Sequence, residues 1–232
     1  QVAALLSVEP LISARLMGLA NSAAYNTSGT KITDIKTAVV RLGLNLVKST
    51  ALAIAADQML RAKSMSVFSE LSQWLWDHSL RTASAAYVFS KHHSSHNPEE
   101  AMLAGMIHDI GSFYMLYRAS QYDELRSRPD TVKYLITQWH EHIGYTLLDA
   151  LGMPEEISDA IREHDLPRPV PHQLRSLADT IYVANLFAGG SYEWQFIDSI
   201  SDDQMIDSLD NMYTDLTEEI DNYEREIRAV FS

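Results

Sequence analysis

Apolar residues recur at helical spacing along nearly the whole chain, and no segment shows the alternation that is typical of a half-buried strand. In the first such segment, residues 10–25, apolar side chains at Leu11, Ala14, Leu16 and Leu19 follow a proline that suits a first helical turn. The same pattern predicts further helices over residues 34–42, 44–61, 67–91, 98–108, 114–125, 130–151, 155–164 and 172–188. The chain is therefore predicted to be all-α, a multi-helix bundle.

Turn and cap residues divide these helices into three parts. Asp34 is predicted to cap the start of its helix, and Gly43 to end it. A break near residues 61–66 separates an N-terminal helical part, residues 1–65, from a helical core, residues 66–190. Residues 191–232 form an acidic segment that is again periodic, so we expect it to be helical and to pack on the core.

Composition limits the possible functions. The net charge is −13, from 18 basic and 31 acidic residues, which disfavours binding to nucleic acid or to an anionic membrane surface. No apolar run approaches the ~20 residues that a membrane-spanning helix needs. The absence of cysteine excludes disulfides and thiolate metal sites and fits a cytoplasmic location. Because Gln1 lies within sequence that already has a helical pattern, we expect the chain to be a fragment of a longer product.

The sharpest chemical signal is an adjacent pair, His108-Asp109, flanked by Gly105 and Gly111. An imidazole and a carboxylate at neighbouring positions can bind a divalent metal, and the carboxylate can bridge to a second ion. The glycines allow backbones to approach closely. The structural alternative is a buried histidine that is hydrogen-bonded to a helix-terminal aspartate.

Other motifs accompany this pair in a fixed order. They are WLWDHSL around His78, HEHIGYTLL beginning at His140, AIREH ending at His164 and IYVAN ending at Asn185. This order resembles the HD superfamily of metal-dependent phosphohydrolases and its HD-GYP branch. The N-terminal segments LMGLANSAAY and IKTAVVRLG are similar to the signature of the HDOD group, the HD-related output domains of bacterial signalling. The resemblance covers roughly residues 8–188.

The resemblance implies a metal site that could hold a divalent ion such as iron or manganese. Its implied ligands are His78, His108, Asp109, His140, His164 and Asn185. Asp109 would bridge two ions and, in an active enzyme, would orient the attacking water.

Several departures from the enzyme pattern point away from catalysis. Asn185 replaces the closing aspartate, and Asp165 stands where the pattern has a second histidine. Ser112 replaces a lysine that handles phosphate in HD-GYP enzymes, and their glycine-tyrosine-proline loop has no counterpart. We therefore expect a partly retained metal site with slow or absent hydrolysis.

These observations favour a regulatory module that binds a protein partner or a small effector. The alternative is a metal-dependent phosphohydrolase that acts on a nucleotide or cyclic nucleotide. A third hypothesis is a structural domain that forms a homodimer through its C-terminal helix.

Other conspicuous residues are predicted to have structural roles. His92, His93 and His96 would lie at a solvated helix end, and His142 would face away from His140. Asn21 and Ser22 would bond the end of the first helix. The four tryptophans, Trp74, Trp76, Trp139 and Trp194, would pack in the core.

Overall fold

The protein is described by a computed structural model that covers residues 10–22, 25–26, 29–189, 209 and 213–231. The helices are α1 (Pro10–Asn21), α2 (Ile35–Leu42), α3 (Leu44–Leu60), α4 (Ser69–His93), α5 (Pro98–Ile107), α6 (Ile110–Ala119), α7 (Asp123–Arg126), α8 (Pro129–Ala150), α9 (Glu155–Ala160), α10 (Leu177–Phe187) and α11 (Thr217–Phe231). A 3₁₀ helix, Lys63–Phe68, joins α3 to α4, and another, Thr214–Leu216, precedes α11. Within these residues the only sheet-like pairing is an isolated bridge between Ser94 and Leu174. The prediction of an all-α fold is confirmed.

Helix α4 is the centre of the bundle. It packs against α5, α10 and α11, while α8 packs against α6 on the other side of the core. Small residues on α4 permit the closest of these contacts. A Cβ atom added to Gly105 of α5 would lie 2.8 Å from Ala83 Cα of α4, so the two backbones meet with no space for a side chain.

The cap predicted at Asp34 is confirmed, and Asn97 caps a second helix start that had no predicted cap. Asp34 Oδ1 accepts a hydrogen bond from the Thr37 N–H at 2.9 Å, and Asn97 caps α5 by accepting one from the Glu99 N–H at 2.9 Å. Gly43 has a φ of 77°, a left-handed conformation that favours glycine, and it stands between α2 and α3.

Helix α1 ends at Asn21, so the prediction that it continues to residue 25 is wrong. The Asn21 amide donates to the carbonyls of Met17 at 2.9 Å and Ile32 at 2.8 Å. Its oxygen accepts the Ile32 N–H at 2.7 Å. The side chain therefore ties the helix end to a loop eleven residues away, which confirms the structural role predicted for Asn21.

Three predicted helix limits are also wrong. The helix predicted over residues 114–125 is two helices, since α6 starts earlier, at Ile110, and a turn at residues 120–122 separates it from α7. Helix α9 ends at Ala160, four residues early. Helix α10 begins at Leu177, because Ser176 and Asp179 form a reciprocal capping box there.

The C-terminal helix α11 packs on α4. Tyr223 of α11 stacks on Tyr87 with ring centroids 4.0 Å apart. Glu219 accepts hydrogen bonds from Lys91 Nζ at 2.7 Å and from His92 Nε2 at 2.8 Å. His92 lies in the exposed last turn of α4, as predicted, and Glu219 gives it an acidic partner that was not predicted. The boundaries at residues 65 and 190 stay predictions.

The tryptophans do not all behave as predicted. Trp76 is buried and Trp74 is half-buried, but Trp139 is 54% exposed, because it lies on the outer face of α8. Trp194 lies outside the described residues.

No single helix in the described parts of the chain has both the length and the apolar character needed to cross a membrane. One bent pair, Ile35–Leu42 with Leu46–Leu60, meets the length and composition criteria only when the two helices are taken together.

We predict that Gly111→Ala destabilises the protein far more than Gly144→Ala. A Cβ at Gly111 would collide with the carbonyl oxygen of His140 and lie 2.7 Å from the Gly144 nitrogen, so α6 and α8 would have to separate. The matched change at Gly144 brings its Cβ no closer than 3.4 Å to any atom. Urea unfolding should show a loss of about 3 kcal/mol for Gly111→Ala and little change for Gly144→Ala.

Equal losses of unfolding free energy in Gly111→Ala and Gly144→Ala would contradict this account of the α6–α8 contact.

Candidate metal centre

The six predicted ligands come from separate elements and meet in the interior. His78 lies on α4, His140 on α8 and Asn185 on α10, while His108 and Asp109 form the turn between α5 and α6. His164 follows the early end of α9. The exposed fraction of each residue is between 1% and 5%.

The backbone orients the imidazole rings. His108 Nδ1 donates to the Gly105 carbonyl at 2.8 Å, His140 Nδ1 to Ile136 at 2.9 Å and His164 Nδ1 to Ile161 at 2.8 Å. Because a carbonyl only accepts hydrogen bonds, Nδ1 carries a proton in each ring. The lone pair of a neutral ring then lies on Nε2, which points toward Asp109. Metal-ligating histidines are commonly fixed in this way.

The Asp109 carboxylate lies between two pairs of histidines. Its Oδ2 is 3.4 Å from His108 Nε2 and 3.9 Å from His78 Nε2. Its Oδ1 is 3.6 Å from the Nε2 atoms of both His140 and His164. Two groups of three potential ligands therefore share this one aspartate, which is the position that a bridging carboxylate requires.

Two observations show that these residues fit a bound cation. His78 Nε2 lies 3.1 Å from His108 Nε2 and 2.9 Å from Asn185 Oδ1, so two acceptors face a position that a proton on His78, or a metal ion in its place, would fill. His164 Nε2 is buried and forms no hydrogen bond with any described residue. Imidazole nitrogens with carboxylate oxygens are a donor set that suits iron, zinc or manganese.

Burial and neighbouring charges shift the pKa values of the cluster in opposite directions. Burial lowers the pKa of His108 to about 3, so this ring is neutral. For His164 the carboxylates of Asp165 and Asp109 outweigh burial and raise the pKa to about 10. The surrounding histidines hold the pKa of Asp109 well below its usual range, although burial opposes this. Without a metal, a proton on His164 therefore compensates the carboxylates of Asp109 and Asp165.

Further polar residues support the ligands. Ser112 Oγ donates to Asp109 Oδ1 at 3.1 Å. Asn185 Oδ1 is 2.9 Å from His78 Nε2, and its amide donates to Asp165 Oδ1 at 2.7 Å. Asp165 Oδ2 in turn lies 3.3 Å from His140 Nε2, so this carboxylate also faces the cluster.

Two neighbours of the cluster were not predicted. Glu141 accepts the Asp165 N–H at 3.0 Å and lies 3.7 Å from His164 Nδ1. Because Glu141 directly follows His140 in the sequence, its proximity to the cluster could have been predicted. Trp74 stacks on the His78 ring with centroids 5.2 Å apart and an interplanar angle of 13°. Because Trp74 is one helical turn from His78, the spacing alone permits this contact.

No lysine or arginine in the described parts of the chain lies within 4.0 Å of the Asp109 or Asp165 carboxylates. Arg118, on α6, binds Gln121 and Tyr122 rather than these carboxylates. His142 is exposed on α8, which confirms that it faces away from His140.

The chain is similar to known proteins in sequence family and in fold. The family model for the HDOD domain matches residues 1–167. An uncharacterised protein of Treponema pallidum (strain Nichols) is 27% identical in an alignment of 200 residues that covers 80% of this chain and 37% of that protein.

Solved structures share the fold. One from Shewanella amazonensis SB2B, assigned as a metal-dependent phosphohydrolase, has a TM-score of 0.71 at 23% identity. The superposition covers 100% of this chain and 84% of the Shewanella chain. One from Marinobacter aquaeolei VT8, assigned as a signal transduction protein, has a TM-score of 0.58 at 18% identity. The superposition covers 99% of this chain and 54% of the Marinobacter chain.

We predict that Asn185→Asp makes stability strongly dependent on metal. Without metal, the new carboxylate faces Asp165 and loses the amide hydrogen bond, so the melting temperature should fall by roughly 5 °C. With Mn²⁺ added, the extra charged ligand should give the variant a larger upward shift than the wild type shows.

Thermal unfolding in EDTA and in Mn²⁺ measures both effects. If Mn²⁺ raised the melting temperature of the wild type and of Asn185→Asp by the same amount, position 185 would not be a ligand.

Proposed function

Because this chain belongs to the HDOD domain family, we propose that it is a regulatory module of bacterial signalling whose His–Asp cluster holds a divalent metal but hydrolyses little or nothing. The observation that carries the proposal is the burial of the entire ligand set. No candidate ligand is more than 5% exposed.

Burial of this extent argues against turnover of a phosphoester. Catalytic metal sites keep an open coordination position for water or substrate. Here Trp74 stacks on the His78 ring, and the other three histidines are each no more than 3% exposed. A nucleotide could reach these ligands only if the surrounding side chains or helices moved.

The residues that handle phosphate in hydrolases are also replaced. Phosphoryl transfer needs positive groups that stabilise charge on the phosphoryl oxygens. At position 112 a serine donates its hydroxyl to Asp109 instead. This hydrogen bond holds the central carboxylate in place, which favours a structural role for Ser112.

The ligands would cross-link helices that are distant in sequence. His78, His108 and Asp109, His140 and Asn185 would hold a metal between α4, the α5–α6 turn, α8 and α10. When bound, a divalent ion supplies Lewis acidity, as in metal-dependent hydrolases. Metal binding also contributes its free energy to folding, so occupancy would stabilise one arrangement of the bundle.

Signalling fits the comparisons and the surface charge. A solved structure with the same fold is assigned as a signal transduction protein, and the chain spans 37% of its Treponema relative. The net charge of −13 disfavours nucleic acid as the target. We therefore propose a protein partner or a small effector, and a cytoplasmic location.

One observation favours the alternative, a metal-dependent phosphohydrolase that acts on a nucleotide or cyclic nucleotide. Asp109 presents one carboxylate oxygen to each pair of histidines, the arrangement that supports two-metal hydrolysis.

The first test is metal content. After incubation with Mn²⁺ or Fe²⁺ and desalting, elemental analysis should find stoichiometric metal in the wild type. His140→Ala should retain at least tenfold less, because it removes a ring that faces Asp109. His142→Ala is the matched control, since this exposed histidine is two residues away on α8, and it should retain wild-type metal.

Loss of metal from both variants, or from neither, would count against the cluster as the binding site.

The second test is hydrolysis. With Mn²⁺ present, release of p-nitrophenol from bis(p-nitrophenyl) phosphate should be the same for the wild type and for Asp109→Asn. Both rates should equal that of buffer with Mn²⁺, because the buried cluster does not admit the substrate.

Hydrolysis by the wild type that disappears in Asp109→Asn would instead establish the alternative function.

A further inference from the structure

A cavity of about 520 Å³ lies apart from the metal centre. It forms where the end of α3, the 3₁₀ helix Lys63–Phe68, the start of α4 and the end of α11 meet. None of the six candidate metal ligands lines it.

Basic side chains from three elements converge on this cavity. Arg61 follows α3, Lys63 lies on the 3₁₀ helix and Arg228 lies on α11. Arg61 uses its Nε to bind Asp57 at 2.8 Å, which leaves its terminal amino groups for a ligand. Lys63 is exposed and forms no ion pair with any described residue.

The acidic groups around the cavity are already neutralised. The buried Asp57 carboxylate binds both Arg15, at 3.1 Å, and Arg61. Arg228 is paired with Asp77 and Glu224. Lys63 therefore adds a positive charge that is not balanced locally, in a protein whose net charge is −13. Such a cavity attracts an anion.

A buried hydroxyl in the cavity wall is the second indication of a ligand. Ser72 is 5% exposed, and its Oγ forms no hydrogen bond with any described residue. A serine within a helix can satisfy its hydroxyl through a carbonyl one turn earlier, as Ser84 does with Leu80 at 2.8 Å. Ser72, on the same helix, does not. A buried hydroxyl without a partner costs stability, so it points to a ligand oxygen.

The rest of the wall is apolar. Leu60, Met65 and the indole of Trp76 line it. The volume falls within the range of small-molecule sites, which combine apolar walls with a few polar groups.

We propose that this cavity binds a phosphorylated small molecule with a flat ring, of the nucleoside monophosphate class. The phosphate contacts Arg61, Lys63 and Ser72, and the ring lies against Met65 and Trp76. The site is independent of the metal centre, although helix α4 carries both Ser72 and His78, six residues or about 9 Å apart along its axis.

Calorimetric titration of the whole chain in EDTA tests this proposal separately from the metal site. The probes are AMP, inorganic phosphate and adenosine. AMP should bind more tightly than phosphate and at least tenfold more tightly than adenosine. Lys63→Glu should weaken AMP binding at least tenfold. Lys133→Glu, the same change at an exposed lysine of another groove, should leave it unchanged.

Ser72→Ala separates binding from stability. The variant should bind AMP several-fold more weakly, yet its melting temperature without ligand should not fall, because the lost hydroxyl has no partner in the free protein. The proposal is overturned if AMP does not bind at millimolar concentration, if adenosine binds as tightly as AMP, or if Lys63→Glu and Ser72→Ala leave AMP affinity unchanged.

Discussion

The buried carboxylate of Asp109 is the interaction on which the arrangement of this bundle depends. A charge in the interior is costly unless it is paired and hydrogen-bonded. Here Ser112 donates a hydrogen bond to it, and four imidazoles surround it. Because those imidazoles come from α4, the α5–α6 turn, α8 and the segment after α9, satisfying one carboxylate fixes the relative positions of most of the core.

Close backbone contacts make this convergence possible. Gly105 lets α5 touch the backbone of α4, and Gly111 lets α6 touch that of α8. Each contact brings a histidine to Asp109, His78 from α4 and His140 from α8. The two glycines that flank the His-Asp pair therefore have a specific packing function, because no larger residue fits at either backbone contact.

Helical periodicity, a local signal, was sufficient to predict the helical class, and the order of motifs, through its resemblance to the HD superfamily, implied the residues that converge. It was not sufficient where a distant contact decides the structure. Asn21 ends α1 by bonding Ile32, and Glu219 gives His92 a partner from α11. Trp139 has an apolar side chain but lies on a face of α8 that nothing in the described fold covers.

The amide at position 185 affects how many metal ions the cluster can hold. With Asn185 neutral, two carboxylates, Asp109 and Asp165, face the cluster, and their combined charge equals that of one divalent cation. A second ion would add two positive charges to a cluster whose candidate ligands are buried, which is unfavourable unless further anions accompany it. Electroneutrality therefore favours a centre with one metal ion, even though Asp109 is placed where it could bridge two ions.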